Sequence, residues 1–339
     1  MAVVETVRGP VDAQALGTTL MHEHVFVLFP DLIANSPKSW DPYTAVKNAV
    51  AKLSALEEAG VGTIVDLTVL GLGQNIPLVQ RVAEQTAVNI VAATGYYTYD
   101  GLPLYFFGRR FEIDGTLAPT MEPPKTGPDP IVEYFVRDIT EGIAETGVRA
   151  GILKCATDAF GMTPGVERIV RAVARAHRRT GVPISTHTDV GTQSGLLQQR
   201  VFQEEGVDLS RVIIGHSGDS TDLEYLETLL RNGSYLGMDR FGWDLRGAFE
   251  DRVATVATLC ERGHADRMVL SHDACGVVCG PNLMPPDESA ELPPQPNLHW
   301  GHLLDAVVPA LMERGVTEEQ IDRMLVGNPR DIFAATSPY

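Results

Sequence analysis

Cysteine is scarce in this chain: Cys155, Cys260, Cys275 and Cys279 are the only four in 339 residues. That is too few for a disulfide framework and in keeping with a reducing compartment. Basic residues are also in deficit. Lys and Arg number 27 against 44 Asp and Glu, for a formal net charge of −17. Such a balance repels phosphate backbones and anionic lipid headgroups, which argues against nucleic acid or a membrane surface as partner and suits a neutral substrate or a bound cation. No charge-free apolar span is long enough to cross a bilayer, and the opening "MAVVETVRGP" has no basic stretch followed by an apolar one. The expectation is a cytoplasmic protein. No internal repeat or linker divides the sequence, so residues 1–339 read as one domain. What is present is core material: 44% hydrophobic and 21% charged residues suit a globular protein with a sizeable interior.

That core material is distributed in eight short apolar runs: "TLMHEHVFV", "GTIVDLT", "NIVAATGYY", "RAGILKCATD", "GVPISTHTD", "RVIIGHSGD", "SYLGMDRFG" and "RMVLSHDA". Helical signals lie between most of them. In "DPYTAVKNAVAKLSALEEAG", Asp41 can cap, Pro42 suits the first helical position, and Val46, Ala49, Val50, Leu53 and Leu56 form one stripe ending at Gly60. The stretches "MTPGVERIVRAVARAHRRTG" and "STDLEYLETLLRNG" repeat the design. Near-continuous apolar strands alternating with helices imply parallel strands buried on both faces, as a (β/α)8 barrel or a doubly wound open sheet. Polar punctuation favours the barrel. His22, His24, Tyr97, Lys154, His187, His216, Asp239 and Asp273 fall where apolar runs end, and a barrel gathers its strand ends around one axis. Two Pro- and Gly-rich insertions, residues 99–130 and 276–298, follow strand ends and are expected to wall a substrate pocket; surface decoration or a dimer contact is the alternative, and a close one for the first.

His22 and His24, at i and i+2 of one strand, point the same way, so their nitrogens can converge on a transition metal. Alone, such a pair is more often hydrogen-bonded or on the surface. His187, His216 and Asp273 at the same level change the balance, because a cluster of buried imidazoles and a carboxylate is costly unless a cation compensates it. Lys154 looks out of place there. Burial drives its amine toward the neutral form, which can take up carbon dioxide to give an anionic, two-oxygen carbamate able to bridge two metals. The alternative for Lys154 is an ion pair with Asp158 or Asp273. Arg240 is expected to orient the strand-seven loop or line the entrance, with a plain salt bridge to Asp239 equally open. Cys275 is expected to line the pocket.

"HEH" in the first run, a lysine in the fourth, single histidines in the fifth and sixth and "SHD" in the eighth resemble the amidohydrolase superfamily, specifically its phosphotriesterase-like lactonase group. The resemblance runs the length of the chain to "GNPRDIF", where Asn328 can cap and Pro329 can open a last helix. It implies a metal-dependent hydrolase on a (β/α)8 barrel with a binuclear site at the C-terminal face. His22, His24 and Asp273 would hold one divalent ion and His187 and His216 another, with a carboxylated Lys154 and a hydroxide between them. Zinc is expected, with iron, cobalt or manganese as alternatives. Asp273 would also shuttle a proton, and Tyr97 would donate a hydrogen bond to a bound ester oxygen. The substrate implied is a small lactone, N-acyl homoserine lactones included, with weaker activity on phosphotriesters; a dedicated phosphotriesterase is the nearest rival. A homodimer is the expected assembly.

Overall fold

In the computed structural model, which describes residues 2–36, 40–111, 117–279, 295–335 and 337–339, the eight apolar runs supply eight parallel strands. They are β1 (Thr18–Leu28), β2 (Val61–Asp66), β3 (Asn89–Gly95), β4 (Ile152–Thr157), β5 (Ile184–Thr188), β6 (Val212–Ile214), β7 (Tyr235–Met238) and β8 (Met268–Leu270). Each pairs in parallel with the next. After β8 the chain passes through residues 271–274 into Cys275–Cys279, which pairs in parallel with the second half of β1, Cys275 opposite His24. Asp273 N donates to His22 O at 2.9 Å and His24 N to Ala274 O at 3.1 Å. Last strand is thereby stitched to first, and the sheet closes as the (β/α)8 barrel expected from the sequence.

Helices α1 (Pro42–Glu58), α2 (Ile76–Ala83), α3 (Pro130–Thr140), α4 (Pro164–Thr180), α5 (Ser194–Glu204), α6 (Leu223–Arg231) and α7 (Phe249–Glu261) follow the first seven strands in turn. The three helices singled out from the sequence, α1, α4 and α6, are capped by Asp41, Thr163 and Asp222. The Asp41 carboxylate accepts from Tyr43 N and Thr44 N, and Ala45, Val46, Ala49, Leu53 and Leu56 of α1 are buried. Thr163 caps α4, which stops on Gly181 in the left-handed region, φ +78°. Asn328 departs from expectation. The helix runs straight through from Arg323–Gly327 into Asn328–Ala334, so nothing there needs a cap. The buried Asn328 amide instead donates to Ala265 O and Met268 O, at 2.8 and 2.6 Å, beside the start of β8.

Inside the barrel an apolar layer of Met21, Val65, Val91, Ile152, Ile213, Tyr235 and Val269 fills the lower half, and the polar strand ends sit above it. A second, larger core lies between strands and helices. In β1 the register shifts between Leu20 and Glu23, three residues of β1 advancing against two of β2. This bulge lets Met21 join the interior layer while the next residue, His22, also faces the axis. The first insertion forms an antiparallel hairpin, Gly108–Phe111 with Leu117–Thr120. Between it and α3 lies a cavity of about 1060 Å³ lined by Leu70, Phe106, Ile131 and Tyr134, among others. None of the expected metal ligands lines it; the start of the insertion nonetheless reaches the histidine cluster, the Tyr99 ring lying 5.9 Å from that of His187. Most of the second insertion lies outside the described residues.

Candidate metal centre

The strand ends bring His22, His24, Lys154, His187, His216 and Asp273 to one place, and all but Asp273 are buried there. Burial of four imidazoles is tolerable only if each nitrogen that does not face the site has an oxygen partner. Each has one. His22 Nδ1 and His216 Nδ1 lie 2.9 and 2.8 Å from the two oxygens of Asp239. His24 Nδ1 lies 2.9 Å from Thr68 Oγ1 and His187 Nε2 2.6 Å from Asp158 Oδ2. A carboxylate accepts only, so His22, His187 and His216 donate outward and keep an unprotonated nitrogen turned inward. His24 follows suit if Thr68 accepts. That is the tautomer a metal ligand needs.

The inward atoms then crowd one another. His22 Nε2 and His24 Nε2 lie 3.4 and 3.2 Å from Asp273 Oδ1, and His187 Nδ1 is 2.8 Å from His216 Nε2. With both outward nitrogens bound to carboxylates, the last contact sets two lone pairs face to face, an arrangement that a cation between them relieves. A proton is a poor substitute. Burial holds the His187 imidazole down to about 4 despite Asp158, and holds His216 well below its ordinary value. Proton donors do face the inward nitrogens elsewhere: Lys154 Nζ stands 3.1 Å from His22 Nε2, and Tyr97 OH 3.0 Å from His187 Nδ1. The ligand atoms of His22, His24 and Asp273 lie within 4.8 Å of one another, as do those of His22, His216 and Asp239. In the second set the Asp239 oxygens already take two imidazole N–H groups and His216 N. Asp239 therefore orients the rings rather than facing the open side. The donor set of neutral nitrogens and a carboxylate fits divalent transition metals.

Lys154 has no carboxylate within bonding reach among the described residues. Its Nζ also approaches Thr186 O at 3.3 Å. The Asp158 partner considered for it is taken by His187. Burial pulls the amine down to about 8, with Asp273 and Asp239 opposing. Arg240 does not pair with Asp239 as the sequence allowed; its Nε reaches Asp273 Oδ2 at 3.0 Å and its Nη1 reaches Asp219 Oδ2 at 2.7 Å. Asp219 is held in turn by Arg252 at 2.6 Å. Burial would raise the Asp273 carboxyl, but the positive charge around it, that of the Arg240 guanidinium included, holds it well below the carboxylate range. Burial raises the Tyr97 phenol, which stays a donor and also bonds Tyr99 OH at 2.9 Å. Three residues of the cluster, His216, Arg240 and Asp273, have φ of +59°, +64° and +55°, a left-handed conformation that side-chain-bearing residues rarely adopt and that gathers at functional sites. Cys275 is partly buried, and burial raises its thiol. Trp243 and Trp300 both reach the segment after β8, donating to Asp273 O at 3.3 Å and Ala274 O at 3.0 Å.

The sequence marks Asp239 only as a polar strand end and a partner for Arg240, offers Asp158 only as a partner for Lys154, and gives Thr68, Asp219, Glu23 and His272 no role. Their work lies in partners far away in sequence, which spacing cannot show.

A closed parallel barrel with imidazoles, a lysine and an aspartate at its C-terminal mouth defines a metal-dependent hydrolase. A sequence model of the phosphotriesterase family matches residues 2–333, and the chain belongs to that family. It is 54% identical, over the whole of both chains, to the phosphotriesterase homology protein of Mycobacterium tuberculosis. The solved structure of the phosphotriesterase from Mycobacterium tuberculosis superposes with a TM-score of 0.90 at 53% identity, covering 99% of this chain and 100% of that one. A structure from the engineering of organophosphate hydrolysis activity from a weak promiscuous lactonase template superposes at 0.83 with 36% identity, covering 98% and 100%.

Proposed function

We propose that the protein is a lactonase acting on N-acyl homoserine lactones and related lactones, with weaker activity on phosphotriesters. In this reading His22, His24 and Asp273 hold one divalent ion, zinc first among the candidates, and His187 and His216 hold the other. Lys154 joins them as a carbamate, formed when its neutral amine attacks carbon dioxide and releases a proton. Bound there, the two ions supply an activated water and polarise the substrate carbonyl. The chain's own groups do the rest. Asp273, steadied by Arg240 at 3.0 Å, accepts the proton released as the carbonyl carbon is attacked and returns it to the ring oxygen as the ester bond breaks. Water adds across one C–O bond, and the product is the hydroxy acid.

The observation that carries the lactone assignment is Tyr97. Its protonated phenol sits 3.0 Å from His187 Nδ1 at the mouth, where it can donate to a bound ester oxygen. Likeness to a lactonase template supports the same reading. A dedicated phosphotriesterase is the second reading, favoured by likeness to the phosphotriesterase from Mycobacterium tuberculosis. Metal analysis combined with a comparison of kcat/KM for an N-acyl homoserine lactone and for a triester decides between them: two ions per chain with the lactone preferred supports the proposal, and triester preference by orders of magnitude overturns it. Lys154→Ala is expected to lose metal and activity, with partial rescue by short carboxylic acids. We further propose one folding unit over residues 1–339 and a cytoplasmic homodimer, which light scattering of the purified protein tests for its assembly state.

A further inference from the structure

The middle residue of "HEH" points away from the histidines. Glu23 is fully buried on the far side of β1, as is His272 opposite it. A buried carboxylate must be matched by donors, and Glu23 has four. Its Oε1 accepts from Ser271 Oγ at 2.9 Å, His272 N at 2.9 Å and His272 Nδ1 at 2.7 Å, and its Oε2 accepts from Ala274 N at 3.0 Å. The peptide N–H groups of His272 and Ala274 flank Asp273, so one carboxylate grips the turn on both sides of the residue whose φ is +55°. Ser271 extends the grip, since its Oγ accepts from His22 N at 2.8 Å. His272 is locked as well. Its Nε2 accepts from Leu303 N at 2.9 Å, which leaves the proton on Nδ1, aimed at Glu23.

We infer that Glu23 and His272 are a positioning pair that holds Asp273 in its left-handed turn and so presents its carboxylate to the metal centre, over and above closing the barrel. The inference rests on the metal reading above. The pair touches no substrate and acts only through Asp273 and the His22 backbone. Outer partners of metal ligands typically shift metal affinity or activity by about 10–100-fold.

His272 allows a decisive pair of variants. In His272→Asn the amide nitrogen takes the place of Nδ1 and can still donate to Glu23; in His272→Gln the amide oxygen takes the place of Nε2, keeping the Leu303 link and losing the Glu23 bond. Each is reconstituted with cobalt(II) and compared with wild type by metal stoichiometry, chelator competition, visible d–d spectrum, and kcat and KM. His272→Gln is expected to bind cobalt about 10–100-fold more weakly, with an altered spectrum and a fall in kcat at little-changed KM, while His272→Asn stays near wild type. Equal behaviour of the two variants overturns the inference, even where both melt earlier. Should His272→Gln not fold, Ser271→Ala, which removes one donor and the tie to His22, is read in the same way. Wild type that binds no cobalt sinks the metal reading and this inference together, whereas wild type that binds two with unaltered variants sinks the positioning role alone.

Discussion

Asp239 carries more of the centre than any ligand does, because one carboxylate fixes two rings. Replacing it with Asn leaves one acceptor oxygen and turns an N–H toward a nitrogen that must itself donate, so either His22 or His216 has to flip or change tautomer. Metal affinity of Asp239→Asn is expected to fall about 10–100-fold, read by chelator competition, in a protein that still folds. Asp273→Asn tests a different role. Removing the proton acceptor is expected to lower kcat by about 10²–10⁴-fold, and near-normal turnover would remove Asp273 from the chemistry. Tyr97→Phe, which deletes only the phenol oxygen, is expected to cost lactone kcat/KM roughly 10-fold, the worth of one hydrogen bond to a polarised oxygen, with little change on triesters. Equal losses on both substrates would mean that the ring only packs. Away from the site, Asp138 gives a pH signature. Burial pushes its carboxyl up to about 6 against the Thr94 hydroxyl, so the folded state binds a proton that the unfolded chain releases near pH 4. Stability contributed by that proton is present at low pH and is lost as pH rises through this window, by up to about 3 kcal/mol. Asp138→Asn, titrated with urea at about pH 4.5 and 6.5, should show a flatter dependence than wild type.

Among the elements, β3 and β4 illustrate how closely the strand ends are packed. Gly95, the last residue of β3, has φ +142°, and a Cβ there would lie 1.9 Å from Lys154 O. Gly95→Ala must push β3 off β4 at the residue that bears the amine, and it is expected to lose bound metal before it loses secondary structure, as metal analysis beside circular dichroism would show. The strands and helices were legible in the sequence because each carries its own signature: apolar runs for β1–β8, Asp41 and Thr163 as caps, Gly181 as a stop. The convergence of His22, His24, Lys154, His187, His216 and Asp273 was legible because they sit at repeated positions of that alternation. What escaped has non-local causes. The β1 bulge depends on register with β2, and the orientation of His22 depends on Asp239, more than two hundred residues away. For Arg240 an ion pair with its sequence neighbour Asp239 was one of two readings, yet the guanidinium reaches Asp273 and Asp219 instead. Asn328 followed a rule for helix starts at a place where the helix does not start.

At the scale of the molecule, the excess of 44 acidic over 27 basic residues acts on whatever approaches or leaves the barrel mouth. A neutral lactone feels little of that field, but hydrolysis turns it into a carboxylate. On the lactone reading, product would leave down a repulsive gradient that the substrate never climbed. Added salt screens such a gradient, the Debye length falling from about 10 Å at 0.1 M to about 3 Å at 1 M. Two consequences can be measured on one preparation. Inhibition by the hydroxy-acid product should strengthen as ionic strength rises, while kcat/KM for a neutral lactone stays nearly level. A lactone bearing an extra carboxylate, repelled on the way in, should show kcat/KM rising with salt, its kcat unchanged. Identical salt responses for the charged and neutral lactones would mean that positive charge gathered at the centre outweighs the field of the surface, and that product release is governed by the site alone.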